Sequence, residues 1–171
     1  MRQMFINKVD QTLKVECELI RRLPKIEILY LAGIFHDLGK GKGGDHSKIG
    51  IKIFKKFALR SEMNTSDSFL ISWLVENHLF MSSVAQRMDV YDLKTVKNFT
   101  KTVDTVEKLD YLYLLTINDI RGTNEELWNS WKHNLLKQLY LSSRKILNKE
   151  IRIGDKSCLL YTSDAADEDL R

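Results

Sequence analysis

An all-α domain is the fold class this sequence predicts. One proline and eight glycines occur in 171 residues, and apolar residues recur three and four apart. No segment alternates apolar and polar residues as a half-buried strand does.

The elements follow in order. Residues 17–23 and 28–38 are expected as helices separated by Pro24, which suits a first helical turn or a break, and Gly39 closes the second in a glycine-rich turn. Asp45 or Ser47 can cap the next helix, which runs to about residue 59. Ser66 or Asp67 starts a helix through Trp73 to His78, and Asp92 another through Val96 to Val103. Asp104 with Glu107 opens a helix to Arg121 in capping-box fashion, and Thr123 with Glu126 repeats that spacing before an amphipathic helix over 125–149. Trp128 and Trp131, three apart on that helix, are expected to pack in the core, and His133 to be a surface or boundary residue without a partner. The composition shifts at 154–157, after which the apolar period stops. One domain over 1–157 is therefore expected, with 158–171 an unstructured or foreign tail.

With 43% apolar and 29% charged residues, the chain has enough material for a proper core and is not a disordered or low-complexity sequence. Its longest apolar run, 28–35, is far short of the roughly 20 residues that cross a bilayer, and residues 1–10 hold no secretory h-region. A cytoplasmic protein without membrane contact is the expectation. Cys17 and Cys158 form no Cys-x-x-Cys pair, which fits a reducing compartment and argues against a thiolate zinc site. The net charge of +4 is unevenly spread: residues 158–171 carry −3, leaving +7 on 1–157. Such a balance suits anionic partners, but no arginine-rich run points to nucleic acid.

The chemistry is concentrated in 35–47, where His36-Asp37 and Asp45-His46 flank a basic, glycine-rich turn. Imidazole and carboxylate on adjacent residues can hold one divalent ion from neighbouring directions, and the glycines let the second pair fold back. Taken singly, a hydrogen-bonded helix-end histidine and an N-cap aspartate are the favoured readings of His36 and Asp45. Two distant residues add weight. Asp119 shares a helical face with Leu112, Leu115 and Thr116, where a bare carboxylate would cost several kcal/mol, so it needs a cation, a proton or donors. His78 ends a segment whose Ile71, Trp73, Leu74 and Val75 look core-facing. A shared metal centre accounts for His36, Asp37, His46, His78 and Asp119 together.

The order His-Asp, His, His, Asp on successive helices resembles the HD superfamily of metal-dependent phosphohydrolases. Within it, the stretches "RRLPKIEILYLAGIFHDLGKGKGGDHS", "WLVENHLFMSSVAQR", "LDYLYLLTINDIRGT" and "LWNSWKHNLLKQLY" resemble the HD domains of bifunctional uridylyltransferase/uridylyl-removing enzymes. The resemblance implies a helical bundle with its metal site between helices. It puts His36, Asp37, His46, His78 and Asp119 on the metal positions, and Lys40 in the His-Asp-x-x-Lys extension. The family's opening histidine, in a Val-Asp-Glu-His-Thr context, would precede Met1; Val9-Asp10-Gln11-Thr12 lacks it.

The activity so implied is hydrolysis of the phosphodiester joining UMP to a tyrosine of the PII signalling protein, with Mn²⁺ or Mg²⁺, or else Fe²⁺, as cofactor. Lys40 would neutralise phosphate charge and Asp45 would assist, while Asn77, Gln86 and Arg87 would line the substrate side. Nucleotidyltransferase and ACT domains accompany the HD domain in the family's full-length protein; no stretch here is read as the transferase's Asp-x-Asp metal signature, and uridylyl transfer is not expected of this segment. The alternatives are an HD-type nucleotide or cyclic-dinucleotide phosphohydrolase, and a catalytically incomplete regulatory module.

Overall fold

The computed structural model describes residues 13–41, 46–123 and 128–164, with side chains through 149. These residues form eight helices: α1 (Lys14–Arg22), α2 (Ile26–Phe35), α3 (His46–Arg60), α4 (Thr65–Asn77), α5 (Phe80–Arg87), α6 (Leu93–Val103), α7 (Val106–Thr123) and α8 (Ser130–Asp164). There is no strand among them.

The centre is α7. Its residues 111–117 are all buried, as an almost uninterrupted apolar run on a helix demands. α2 packs on α4 and α7, α3 on α4, and α8 lies across α5, α6 and α7. Each fully buried Leu or Phe contributes about 1.5–3 kcal/mol, so the run from Leu109 to Ile117 makes α7 the main source of core stability. Tyr111 also ties α7 to the start of α2: its hydroxyl donates to the Lys25 carbonyl at 2.9 Å. The Lys25 ammonium in turn reaches Asp67 of α4 at 2.6 Å.

Helix starts follow the caps, with some shifts from expectation. Asp92 caps α6 as expected, accepting from the Lys94 and Thr95 amides. α4 is capped by Asn64, which accepts from the Asp67 amide at 2.8 Å, rather than by Ser66 or Asp67. Asp104 is not the cap of α7: it closes α6 in the left-handed region at φ 50°, and Thr105 Oγ1 accepts from the Lys108 amide. Thr123 ends α7 rather than capping α8, whose first turn is held by Asn129 through the Lys132 amide. Asp45 and Glu126 lie outside the described residues, and Ser47 is the second residue of α3.

Three further departures concern packing. Helix α5 falls in a stretch where none was expected; Met81, Val84 and Ala85 form its buried face. Trp131 is 60% exposed and outside the core, whereas Trp128 packs at the core's edge beneath the Arg121 guanidinium. His133, expected as a surface or boundary residue without a partner, is buried against Glu16 of α1, with Nε2 at 2.8 Å from Oε1. α8 continues to Asp164, across the composition shift at 154–157, because a helical backbone needs no apolar period to keep its hydrogen bonds. No described helix is long and apolar enough to cross a membrane.

Candidate metal centre

The site forms where α2, α3, α4 and α7 bring their ends together. His36 and His78 each stand one residue past a helix, as the C-caps of α2 and α4. Each ring is held the same way: His36 Nδ1 donates to the Gly33 carbonyl at 2.9 Å, and His78 Nδ1 to the Val75 carbonyl at 2.8 Å. A carbonyl can only accept, so both Nδ1 atoms carry the proton and each Nε2 is left for a partner across the site. The His78 ring lies edge-on to both other rings, 5.1 Å from His36 and 5.4 Å from His46 between centroids.

Close backbone approach makes this convergence possible. A Cβ on Gly39 would lie 2.2 Å from the His46 carbonyl oxygen, and one on Gly50 would lie 2.6 Å from that of Phe35. Only glycine lets the start of α3 sit this near the end of α2.

Asp37 is the shared member of two candidate ligand sets. Asp37, His46 and His78 offer ligand atoms within 4.8 Å of one another, and so do His36, Asp37 and Asp119. His36 Nε2 is 3.3 Å from both Asp119 Oδ1 and Asp37 Oδ2. Asp37 Oδ1 and His46 Nε2 are buried without a hydrogen-bond partner. Two orphaned atoms of the kind that bind cations, beside two imidazoles already fixed by backbone carbonyls, fit a divalent ion.

The paired carboxylates Asp37 and Asp119 give the site negative charge, which protonated His36 offsets here and which a cation would offset in its place. Burial disfavours the charged imidazolium of His36, but the hydrogen bond it donates to Asp119 and the charges of Asp37 and Asp119 outweigh it and raise its pKa. The His36 bond holds Asp119 below the usual carboxylate range against the effect of its own burial. His78 goes the other way, pushed down by burial and by the neighbouring His36 and His46, so it is readily the neutral imidazole a metal requires. Lys40 Nζ lies 2.6 Å from Asp37 Oδ2, partly exposed beside the cluster.

A cavity of about 350 Å³ opens onto this centre, lined by Gly33, His36, Asp37, Leu115, Asn118, Asp119, Gly122 and Thr123. That volume is at the lower end of small-molecule sites. Asn77, Gln86 and Arg87 do not line it: Asn77 donates to the Trp73 carbonyl, and Gln86 and Arg87 are exposed on α5. Asn118 and Thr123 do line it, and sequence reasoning passed over both. Their signal was helical spacing, since Thr123 is four residues beyond Asp119 and its hydroxyl donates to the Asp119 carbonyl at 2.9 Å. Asp45 lies outside the described residues.

An all-α scaffold with a His-Asp pair at one helix end, and histidines and an aspartate converging on it, defines a class, and family comparison supports it. The HD domain model matches residues 11–115, and the chain belongs to the HD domain family. It is 48% identical over 143 residues to the bifunctional uridylyltransferase/uridylyl-removing enzyme of Legionella pneumophila strain Lens, covering 84% of this chain and 17% of that protein. The proteins of the same description from Pseudomonas putida strain W619 and Nitrosococcus oceani are 45% and 46% identical, each over 149 residues, 87% of this chain and 17% of theirs. The chain thus spans about a sixth of the length of the curated relatives it matches. No solved structure matches it significantly.

Proposed function

We propose that this chain carries the uridylyl-removing activity of such enzymes: hydrolysis of the phosphodiester joining UMP to a tyrosine of a PII signalling protein, in the cytoplasm. The observation that carries the reading is the pair of ligand sets meeting at Asp37, with orphaned atoms on Asp37 and His46. The description shared by the relatives narrows the chemistry from phosphoester hydrolysis in general to removal of a uridylyl group.

His36, Asp37, His46, His78 and Asp119 would hold one or two divalent ions, Mn²⁺ or Mg²⁺ or else Fe²⁺, by hard oxygen and imidazole donors. Such an ion supplies Lewis acidity toward phosphoryl oxygens and makes water acidic enough to attack near neutral pH. The water oxygen forms the new P–O bond as the bond to the tyrosine oxygen breaks, and the released phenol takes up the proton that water loses. Lys40, anchored by Asp37, offsets negative charge on the phosphate. Asn118 and Thr123, which line the cavity, would contact the nucleotide. Asp45 is retained as an assisting carboxylate; Asn77, Gln86 and Arg87 would act only outside the cavity. A domain over 1–157 is retained from the apolar period, with 158–171 beyond it, although α8 continues to Asp164. Nucleotidyltransferase and ACT domains would accompany this segment in a longer polypeptide.

The test is a substrate comparison. With Mn²⁺ present, UMP release from uridylylated PII is measured beside hydrolysis of a panel of nucleotides and cyclic dinucleotides. Preferential release from the protein supports the reading. Faster turnover of a free nucleotide replaces it with a general HD nucleotidase, and no turnover of either with a regulatory module.

A further inference from the structure

The metal centre leaves unexplained the helix that begins at one of its ligands. α3 carries Lys48, Lys52, Lys55, Lys56 and Arg60 and no Asp or Glu. The chain's net charge is +4, so without this helix it stands at −1. Gly50, Phe54 and Ala58 bury the inner face of α3, and the five cations are exposed on the rest of its surface. The side chains of Lys52, Lys55, Lys56 and Arg60 form no ion pair or hydrogen bond with any described residue. The contrast with α6 is instructive: its Lys94, Lys97 and Lys101 are bracketed by Asp92 and Asp104 at its two ends.

From this arrangement we infer that the outer face of α3 is a docking surface for an acidic patch on the protein that carries the phosphodiester. The inference rests on the proposed function, since it needs a protein substrate. At about 1.5 Å of rise per residue, the cations run from within one turn of His46 to roughly 20 Å away. That distance exceeds a nucleotide and suits a macromolecule whose modified side chain enters the cavity while its surface lies along the helix. An acidic protein surface is favoured over a nucleic acid because Leu59, 83% exposed, stands among the cations, four residues after Lys55 and three after Lys56. A protein face can cover that leucine, whereas a phosphate backbone gains nothing from it. The unpaired cations Lys52, Lys55, Lys56 and Arg60 steer an acidic partner and speed its encounter.

The experiment measures binding of uridylylated PII to the whole chain by fluorescence anisotropy at two ionic strengths, chosen so that the screening length falls from about 30 Å to about 8 Å. The quadruple variant K52E/K55E/K56E/R60E is compared with the control K94E/K97E/K101E on α6, and circular dichroism and melting verify that both remain folded. The expectation is salt-sensitive binding by the wild type, weakened about tenfold or more by the α3 reversal and little changed by the α6 reversal. Equal weakening by both reversals, salt-independent binding, or tighter binding of a short RNA duplex than of the protein overturns the docking surface. Wild-type chain that cleaves the p-nitrophenyl ester of UMP but shows no binding of uridylylated PII overturns the surface and leaves the phosphodiester chemistry standing. Binding through α3 without any release of UMP supports the surface and counts against the proposed function.

Discussion

His36 Nε2 lies 3.3 Å from Asp119 Oδ1, although 83 residues separate them in the chain. The contact joins the end of α2 to the last turns of α7, and Asp37 continues it to His46 and His78. Four helices thus meet at one cluster whose orphaned atoms call for a cation.

A bound ion should therefore stabilise the fold. Mn²⁺ at about 100 times its dissociation constant adds about 2.7 kcal/mol to the unfolding free energy. For a domain of this size that corresponds to a rise in melting temperature of about 5–10 °C. Thermal melts with and without Mn²⁺ should show the shift in the wild type and its loss in Asp119→Ala and in His78→Ala. An equal shift in all three would place the ion elsewhere.

The closeness of α2 and α3 gives a second expectation. Gly39→Ala puts a methyl group 2.2 Å from the His46 carbonyl oxygen, so the start of α3 must move. Overpacking of this kind costs about 1–3 kcal/mol and displaces His46 from Asp37. Calorimetry should find weaker Mn²⁺ binding and a lower melting temperature. Gly122→Ala, whose new Cβ meets nothing within 4 Å, should fold normally.

The buried Glu16 gives stability a pH dependence. Burial works against its charged form, but hydrogen bonds from His133 and from the Tyr113 hydroxyl prevail, and its pKa in the folded chain lies below the ordinary 4.5. The stabilisation is complete above that unfolded value and is lost as pH falls through the folded one. Urea unfolding from neutral to acid pH should show the wild type losing stability more steeply than Glu16→Gln. Glu16→Ala, which strands His133 and the Tyr113 hydroxyl without their acceptor, should cost about 3–5 kcal/mol at neutral pH. Parallel pH profiles for wild type and Glu16→Gln would contradict this account.

The same pair marks the limit of what the sequence discloses. Helical periodicity makes α7 legible because burial on every side leaves an unbroken apolar run, and Asp92 is legible as a cap because an Asx side chain bonds amides two and three residues ahead. Asp119 stands out for the opposite reason, as a charge on an apolar face. His133 gives no such sign: its partner Glu16 is 117 residues away, and no local spacing connects α1 to α8. α5 is eight residues long and its N-cap, Leu79, offers no side-chain cap, so neither length nor a start signal announces it. Trp128 stands before α8, which begins at Ser130, so the helical spacing that would pair it with Trp131 does not apply, and one packs at the core's edge while the other is in solvent. The cavity escapes notice because it belongs to the meeting of α2 and α7, and Asn118 and Thr123 acquire a role only once His36 is opposite them.

The central claim is that Asp37 helps hold a metal that removes UMP from a protein. Its most direct test is release of UMP from uridylylated PII by wild type and Asp37→Asn, each with Mn²⁺ and with a chelator, while circular dichroism follows the fold. The expected result is release by the wild type that the chelator abolishes, and a loss of about a hundredfold or more in Asp37→Asn with its helical spectrum unchanged. Wild-type activity in Asp37→Asn, or release that the chelator leaves untouched, would contradict it.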